Sequence, residues 1–298
     1  MKQQRPMLTQ RYGFGAHFPI GAQRVCIPSV QTMSSSDEEA FLQAFNHYGF
    51  AILRCEAQGD RRTDLLGLKA LLGDATQHPR ADRDGVVPID NLKPIPGHID
   101  SSHHEHRLHT DGSFSDHPEK IIALQCERPA RSGGFSVLAS ASAAYAHLAT
   151  LYHDRVEALS NGNALTIKRT TASSTRPIFA RDGNTCSIKF RMPDSAAEVT
   201  PAPEVQDLFE ELCRFFLAPE NRLVFQLQPG EILIGDNTAV VHGRTAFDPQ
   251  EPRFLRRLNF DASGVLCQRM MFGFVPQKPG CAAACAVSET SETLAEID

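Results

Sequence analysis

The feature that most constrains the fold is a series of short apolar runs separated by glycine and proline. Runs of this kind, when they contain β-branched and aromatic residues, are typical of β-strands. Few segments with helical spacing interrupt them, so most of the strands cannot be joined by crossover helices. The pattern favours a mainly β fold with flanking helices, a double-stranded β-helix or jelly roll, over a doubly wound fold. The runs lie at 121–126, 135–138, 164–167, 186–190, 223–227, 232–234 and 254–260.

Two helices are predicted ahead of these runs. Ser34 and the acidic residues after it form a helix start, and apolar residues then recur at helical spacing until Gly49. A second helix is predicted from Thr63 to Leu72 because a glycine follows it. Further predicted elements are a strand at 50–54 and helices at 141–153 and 203–217.

No internal repeat or low-complexity linker divides the 298 residues. We therefore interpret 1–298 as a single domain, with its core in about 35–275 and a mobile tail in 276–298. The segment 74–107 is rich in Pro, Gly, Asp and His and lacks periodicity, which predicts a long irregular loop of the kind that often forms a lid.

Charge and apolar content exclude several classes of protein. The formal net charge is −5, so we expect no nucleic-acid partner. The N-terminus has no apolar h-region and no apolar run reaches about 18 residues, so we expect no membrane span and a cytoplasmic protein. Eight scattered cysteines then predict reduced thiols, and Cys281 and Cys285 are interpreted as a chance pair. The oligomeric state stays open.

Two segments far apart in the sequence contain candidate metal ligands. On an extended strand, residues two apart point the same way, so His109 and Asp111 could offer an imidazole and a carboxylate to one ion. A third ligand, His242, ends an apolar strand that follows the turn at Gly235. Two histidines and one carboxylate leave coordination positions open, which O2 chemistry at iron(II) requires. A closed structural zinc site would fill its fourth position.

An arginine lies eleven residues after the third candidate ligand. Arg253 follows a proline-rich turn, so a strand returning beside His242 would bring its guanidinium near the metal. An arginine fork pairs with a carboxylate through two hydrogen bonds, which suits the distal carboxylate of a dicarboxylic co-substrate. At least one of Arg256 and Arg257, on the same strand, is better explained as facing solvent.

These stretches resemble the taurine dioxygenase and gamma-butyrobetaine hydroxylase group of iron(II)/2-oxoglutarate oxygenases. In that group a hydroxyl residue follows Gly-Gly 27 residues after the first histidine, and here this position is Ser136. Serine replaces the commoner threonine, and we find no stretch like the separate zinc domain of the butyrobetaine enzymes, which weakens any inference of carnitine chemistry. The matching stretches are 108–138 and 229–260, with weaker similarity at 48–54 and 71–86.

The resemblance implies an enzyme with Fe(II), 2-oxoglutarate and O2 as cofactor and co-substrates. It implies that His109, Asp111 and His242 hold the metal, and that Arg253 and Ser136 bind the C5 carboxylate of 2-oxoglutarate. The implied reaction oxidises a small polar metabolite, most simply by hydroxylation, and releases succinate and CO2. Because Asp111 is a carboxylate, no ligand position is vacated for halide, so halogenation is disfavoured.

Several other residues are candidates for binding the substrate. Arg257 is one, because the matching position binds a substrate acid group in some relatives, and His106 is another. The basic residues Lys168, Arg169, Lys189 and Arg191 are weaker candidates for the same role. The run from His103 to His106 is interpreted as the edge of a lid. An amino-acid-like or other small polar metabolite is the preferred substrate, since a chain without Trp and with four Tyr disfavours a trimethylammonium group.

Two other functions remain open on the sequence. A zinc-dependent hydrolase could use the same three ligands to activate water, but it gives Arg253 and Ser136 no role. A non-catalytic jelly-roll binding protein would retain the motifs without the chemistry.

Overall fold

The computed structural model of the protein describes residues 11–56, 59–169 and 172–276. It is mainly β with helices at its flanks, which confirms the predicted fold class at that level. The helices are α1 (Ser35–Tyr48), α2 (Arg62–Leu72), α3 (Ala141–Tyr152) and α4 (Gln206–Leu217). The strands are β1 (Arg24–Ile27), β2 (Phe50–Cys55), β3 (Val87–Asp90), β4 (His106–His109), β5 (Ile121–Arg128), β6 (Ser136–Ser140), β7 (Leu165–Lys168), β8 (Ser173–Arg176), β9 (Phe179–Asp182), β10 (Thr185–Ile188), β11 (Glu198–Pro201), β12 (Leu223–Phe225), β13 (Glu231–Asp236), β14 (Val240–Arg244) and β15 (Phe254–Arg257).

Two sheets form the centre of the molecule. The larger has the strand order β1-β2-β13-β5-β15-β3, in which only β1 and β2 are parallel neighbours. The smaller has the order β12-β6-β14-β4 and is antiparallel throughout. Strands adjacent in a sheet are mostly distant in sequence, so residues from separate segments are brought together at the strand ends.

Alternating side chains of the larger sheet pack against different partners. Leu233 of β13 belongs to a buried cluster with Leu138 and Val240 of the smaller sheet, so the two sheets face each other. Its neighbours Ile232 and Ile234 point to the opposite face and pack with α1 and α2. This is the period-two alternation of a strand covered on both faces. Each fully buried side chain of this size contributes about 1.5–3 kcal/mol by leaving water.

Helices α3 and α4 pack on the face of the smaller sheet that points away from the larger sheet. Leu148 of α3 and Leu212 of α4 lie in one buried cluster with Ala139 and Val241 of that sheet. The site described below is therefore supported on both sides by packed apolar layers.

The predicted helix starts and stops are confirmed where the capping residues were clear. The Ser34 side chain accepts a hydrogen bond from the N–H of Asp37, and Asp37 accepts one from the N–H of Ser34. Gly49 ends α1 with φ 82°, a left-handed conformation that favours glycine. In contrast, β8 and β9 were not predicted, because they are short and mostly polar. The segment 74–107, predicted as irregular, contains β3, which pairs with β15.

The predicted reduced state of the cysteines holds for those in the described residues. Cys281, Cys285 and the rest of the tail from 277 on lie outside the described residues. Among the described helices, none is both long and apolar enough to cross a membrane. Free thiols are found at Cys26, Cys55, Cys126, Cys186, Cys213 and Cys267.

Candidate metal centre

Antiparallel pairing brings the two predicted histidine ligands together. His109 is the last residue of β4, His242 lies in the middle of β14, and the two are direct cross-strand partners. Their ring centroids are 4.4 Å apart. Residues directly opposite on one sheet face have neighbouring side chains, so this contact follows from the strand register.

Asp111 reaches the same point from just beyond the strand. The sequence analysis placed His109 and Asp111 on one extended strand, but β4 ends at His109 and Asp111 begins a turn. Asp111 Oδ1 nevertheless lies 3.4 Å from His109 Nε2 and 3.7 Å from His242 Nε2. The three candidate ligand atoms lie within 4.8 Å of one another, and all three residues are buried.

The histidine rings are prepared for ligation. His109 Nδ1 is 2.8 Å from the carbonyl oxygen of Arg107, an acceptor, so Nδ1 carries the proton and Nε2 presents its lone pair toward Asp111. Burial, together with the neighbouring His242 ring, lowers the pKa of His109 to about 4. The ring is therefore neutral near pH 7, as a metal ligand must be.

Asp111 is held by partners on one side of its carboxylate. Its Oδ2 accepts hydrogen bonds from Asn259 Nδ2 at 2.8 Å and from Arg257 Nη1 at 3.2 Å. Burial opposes ionisation, but the neighbouring Arg257 charge outweighs it, and the pKa of Asp111 lies well below its usual range. Its backbone is fixed by Asn237, whose side chain bonds both the N–H and the carbonyl of Asp111.

The two asparagines were missed by the sequence analysis. Asn259 lies two residues after Arg257, so period-two alternation along the chain could have indicated that both side chains face Asp111. Asn237 lies in the turn that leads into β14, and its contact with Asp111 depends on an approach of segments 126 residues apart. Partners of this kind fix the orientation of a metal ligand.

These residues fit a divalent metal. They present two imidazole nitrogens and one carboxylate oxygen at one buried point, the donor set of the 2-His-1-carboxylate sites of non-haem iron(II) oxygenases. His242 Nδ1 is buried and has no hydrogen-bond partner among the described residues, so the ring can turn either nitrogen toward a metal without breaking such a bond.

Arg253 lies next to the predicted hydroxyl segment. It immediately precedes β15, its Nε donates to the carbonyl of Gly134 at 3.1 Å, and Ser136 begins β6 two residues later. Its guanidinium also lies 5.7 Å from the centroid of the Phe247 ring. Burial lowers the pKa of Arg253 to about 10, so it remains a cation at neutral pH.

Arg253 is almost completely buried, with only 6% of its surface exposed, and yet no carboxylate of the described residues forms an ion pair with it. A buried guanidinium without an acidic partner is costly, and an anionic ligand would remove that cost. Arg253 thus lies beside the segment that leads into Ser136, in surroundings suited to a carboxylate.

The sequence matches, over residues 8–259, the family described as taurine catabolism dioxygenase TauD, TfdA family. The chain belongs to this family. The resemblance inferred from the two motif stretches is thereby confirmed.

Two relatives found by sequence comparison are named uridine-5'-phosphate dioxygenases. A uridine-5'-phosphate dioxygenase from Amycolatopsis is 30% identical over 161 residues, which make up 50% of this chain and 58% of that enzyme. One from Streptomyces is 30% identical over 168 residues, covering 50% of this chain and 59% of the enzyme. The matched stretch thus spans less than two thirds of either relative.

Solved structures of TauD-like oxygenases share the fold. An asparagine oxygenase in complex with Fe(II), 2S,3S-3-hydroxyasparagine and succinate has a TM-score of 0.58 at 18% identity, covering 80% of this chain and 94% of that one. PvcB from Pseudomonas aeruginosa has a TM-score of 0.57 at 22% identity, covering 78% and 81%. At these identities the likeness establishes a common fold.

The two predicted substrate residues both contact the metal ligands. Arg257 hydrogen-bonds Asp111, lies 3.3 Å from His78 Nε2, and lies 3.8 Å from an Asp100 carboxylate oxygen. The His106 ring stacks on His109 with centroids 4.0 Å apart. Both residues thus border the site of this TauD/TfdA protein, whereas Arg256 pairs with Glu127, away from Asp111.

Proposed function

We propose that this protein is an iron(II)- and 2-oxoglutarate-dependent dioxygenase that oxidises a small polar metabolite, most simply by hydroxylation, with release of succinate and CO2. The observation that carries the proposal is the convergence of His109, Asp111 and His242 at one buried point. Membership of the TauD/TfdA family supports it. Two imidazoles and one carboxylate give the donor set that iron(II) oxygenases use.

In this proposal the protein mainly binds and orients. Iron(II), when bound, supplies the activation of O2 and the oxidative decarboxylation of 2-oxoglutarate. Asp111 offers Oδ1 to the metal while Asn259 and Arg257 hold Oδ2. His109 keeps its ring orientation through the Arg107 carbonyl. These contacts fix the ligands before metal arrives, which reduces the reorganisation needed on binding.

The co-substrate is assigned to Arg253 and Ser136 at the start of β6, which we call the co-substrate pocket. Arg253 would bind the C5 carboxylate of 2-oxoglutarate through its fork, and the Ser136 hydroxyl would donate a further hydrogen bond. The buried, unpaired guanidinium supports this role because a carboxylate neutralises it. Arg244 is a weaker candidate for this role. Its guanidinium also lies beside the Phe247 ring, but it already donates hydrogen bonds to the backbone carbonyls of Ile99, Asp100 and His104.

The finer architecture is also part of the proposal. Two facing sheets with helices outside support a double-stranded β-helix, with the metal point at the end where β4 and β14 pair. We further propose one catalytic domain over 1–298, with its core in about 35–275. A cytoplasmic location and the lack of a nucleic-acid partner stay predictions.

The substrate is proposed to be a small molecule. The named relatives act on uridine 5'-phosphate, and a structural neighbour was solved with hydroxyasparagine. Both are small polar compounds, which supports the class without choosing a member.

The first experiment measures 2-oxoglutarate turnover. Purified protein with iron(II), ascorbate and 2-oxoglutarate should form succinate, and a substrate screen should raise the rate. His109→Ala should remove this turnover, while His153→Ala, a histidine at the end of α3, should retain it. Absence of succinate throughout the screen, with zinc-supported ester or amide hydrolysis, would replace the dioxygenase by the hydrolase.

The second experiment tests the co-substrate pocket. Arg253→Ala should raise the 2-oxoglutarate concentration needed for half-maximal turnover by about tenfold to a hundredfold, since a charged hydrogen bond is lost, with little change in metal affinity. Arg256→Ala, on the same strand but paired with Glu127, is the matched control. An equal loss of metal and co-substrate affinity in Arg253→Ala would make Arg253 a fold residue.

A further inference from the structure

Four arginines from distant segments are connected to the candidate metal centre by ion pairs, a backbone bridge or electrostatic interactions, although the chain as a whole carries a net charge of −5. We call this side of the centre its entrance. We define the arginine rim as Arg80, Arg169, Arg191 and Arg257. Arg191 forms an isolated β-bridge with His109, and Arg257 hydrogen-bonds Asp111. The rim is therefore directly connected to two of the proposed metal ligands.

Three members of the rim have carboxylate partners. Asp100 forms an ion pair with Arg80 and lies 3.8 Å from Arg257. Asp194 pairs with Arg191 at 2.7 Å, and both side chains are buried. Asp100 and Asp194 are thus already engaged by arginines.

Arg169 differs from the other three. Among the described residues, no carboxylate forms an ion pair with it. Its Nη2 donates to the carbonyl of Gly97 at 3.3 Å, and its guanidinium lies 4.8 Å from the centroid of the Phe114 ring. Gly97 and Phe114 belong to the two loops on either side of the metal motif, so Arg169 is held where both loops meet.

The electrostatic surroundings of Arg169 also connect it to the entrance. Burial and the like charge of Arg191 lower the pKa of the Arg169 guanidinium, and Asp100 and Asp194 oppose this shift. Arg80 acts on it as well. An arginine stays protonated in such surroundings, so the entrance keeps a positive charge without its own counterion.

We propose, on the basis of the dioxygenase function above, that the substrate carries a phosphate-like oxyanion and that Arg169 binds it at the arginine rim. A guanidinium fork matches the geometry of a phosphate, and stacking on Phe114 keeps the fork in place. A dianion would also relieve the repulsion between Arg169 and Arg191.

An amino-acid-like substrate fits the same surroundings less well. Its ammonium group would need an acidic or carbonyl partner, and Asp100 and Asp194 are paired with arginines. Within the predicted class of amino-acid-like or other small polar metabolites, the proposal therefore favours a phosphorylated compound.

Binding of matched probes tests the proposal without turnover. Titration calorimetry would use the protein with Mn(II) and saturating 2-oxoglutarate, and the probes uridine 5'-phosphate, ribose 5-phosphate and uridine. We expect both phosphates to bind and uridine to bind at least about tenfold more weakly. Arg169→Gln should weaken phosphate binding by about tenfold to a hundredfold, and Arg169→Lys, which keeps the charge but loses the fork, by less.

Arg155→Gln is the matched control, because Arg155 is exposed and pairs with Asp207 on α4. Equal binding of uridine and its phosphate, unchanged phosphate binding in Arg169→Gln, or failure of both phosphates to bind would overturn the proposal. Phosphate binding seen only without 2-oxoglutarate would also overturn it, since the probe would then occupy the co-substrate pocket.

The two proposals fail in different experiments. Phosphate binding that depends on Arg169, in a protein that never forms succinate, would reject the dioxygenase and retain the anion site. Succinate formation that depends on His109 but is stimulated only by uncharged or ammonium-bearing compounds would retain the dioxygenase and reject the anion site.

Discussion

Two buried aspartates in this protein each contact an arginine, yet the structure uses them in different ways. Asp236 ends β13, is fully buried and lies 2.7 Å from Arg11 Nη1. Asp111 follows β4, is 8% exposed and lies 3.2 Å from Arg257 Nη1. The difference lies in how their two carboxylate oxygens are used.

Both oxygens of Asp236 are engaged by the fold. Oδ1 accepts a hydrogen bond from the N–H of Thr238, and Oδ2 accepts one from the N–H of Gly273 and forms the ion pair with Arg11. In Asp111 the fold partners Arg257 and Asn259 meet only Oδ2, and Oδ1 faces the two histidines.

The pKa shifts of the two groups follow this division. Burial raises the pKa of Asp236, and Arg11 and the hydrogen bonds to Thr238 and Gly273 only partly offset it. At Asp111, the Arg257 charge outweighs burial and lowers the pKa. A buried aspartate with one oxygen left for other ligands is thus a candidate for chemistry, whereas one with both oxygens satisfied ties segments together.

The largest expected effect is on turnover when Asp111 is removed. Asp111→Ala should reduce succinate formation by about 10³-fold or more, since the metal contributes several kcal/mol of stabilisation and each 1.36 kcal/mol is tenfold. The fold should survive, because Arg257 still has Asp100 nearby. Turnover assays and circular dichroism melting check both parts, and a variant that retains turnover would remove Asp111 from the metal centre.

Removing Asp236 should affect stability instead. Asp236→Ala leaves Arg11 buried without a carboxylate and should lower the free energy of unfolding by about 3–5 kcal/mol, measured in urea. Metal affinity of the folded protein should change little. The control is Asp207→Ala, which breaks the exposed pair with Arg155 and should cost about 1 kcal/mol or less. A loss of metal affinity with unchanged stability in Asp236→Ala would reverse the comparison.

The role of Asp111 could be predicted from the sequence, whereas that of Asp236 could not. His109, Asp111 and His242 were predicted because each lies in a short motif that can be recognised locally, although the two motifs are far apart in the sequence. Helix α1 was predicted closely because Ser34 and Gly49 are clear capping residues. The role of Asp236 was not predicted, since Arg11 is 225 positions away and no local pattern joins them.

Other parts of the site were also beyond local patterns. The contacts of Asp100 with Arg80 and Arg257 arise only when the loop that contains Asp100 folds over β15. Strands β8 and β9 were missed because their residues are mostly polar and β-propensity there is weak. What the sequence lacked was therefore the long-range approach of polar residues, not the apolar pattern of the sheets.

An intermediate effect is expected at Asn259, which meets only the fold side of Asp111. Asn259→Ala removes the 2.8 Å hydrogen bond to Oδ2 and should lower metal affinity by about 10–100-fold, because the carboxylate loses a partner that orients it. Titration with Mn(II) measures this. Asn163→Ala, an exposed asparagine that contacts Glu204, is the control. Unchanged affinity would mean that Arg257 alone orients Asp111.

The smallest expected effect is the response of the metal-free protein to pH between 7 and 5.5. The pKa of His109 is about 4 when folded and 6.5 ordinarily, so the unfolded chain binds the proton first and stability falls as pH falls through this window. The loss should be about 1 kcal/mol from His109, measured by urea unfolding with a chelator present. His78, also lowered to about 4, adds in the same direction. His109→Asn should show a shallower dependence, because the ring that gains its proton mainly on unfolding is then missing. An unchanged slope would mean that the pKa of His109 in the folded protein is close to its value in the unfolded chain.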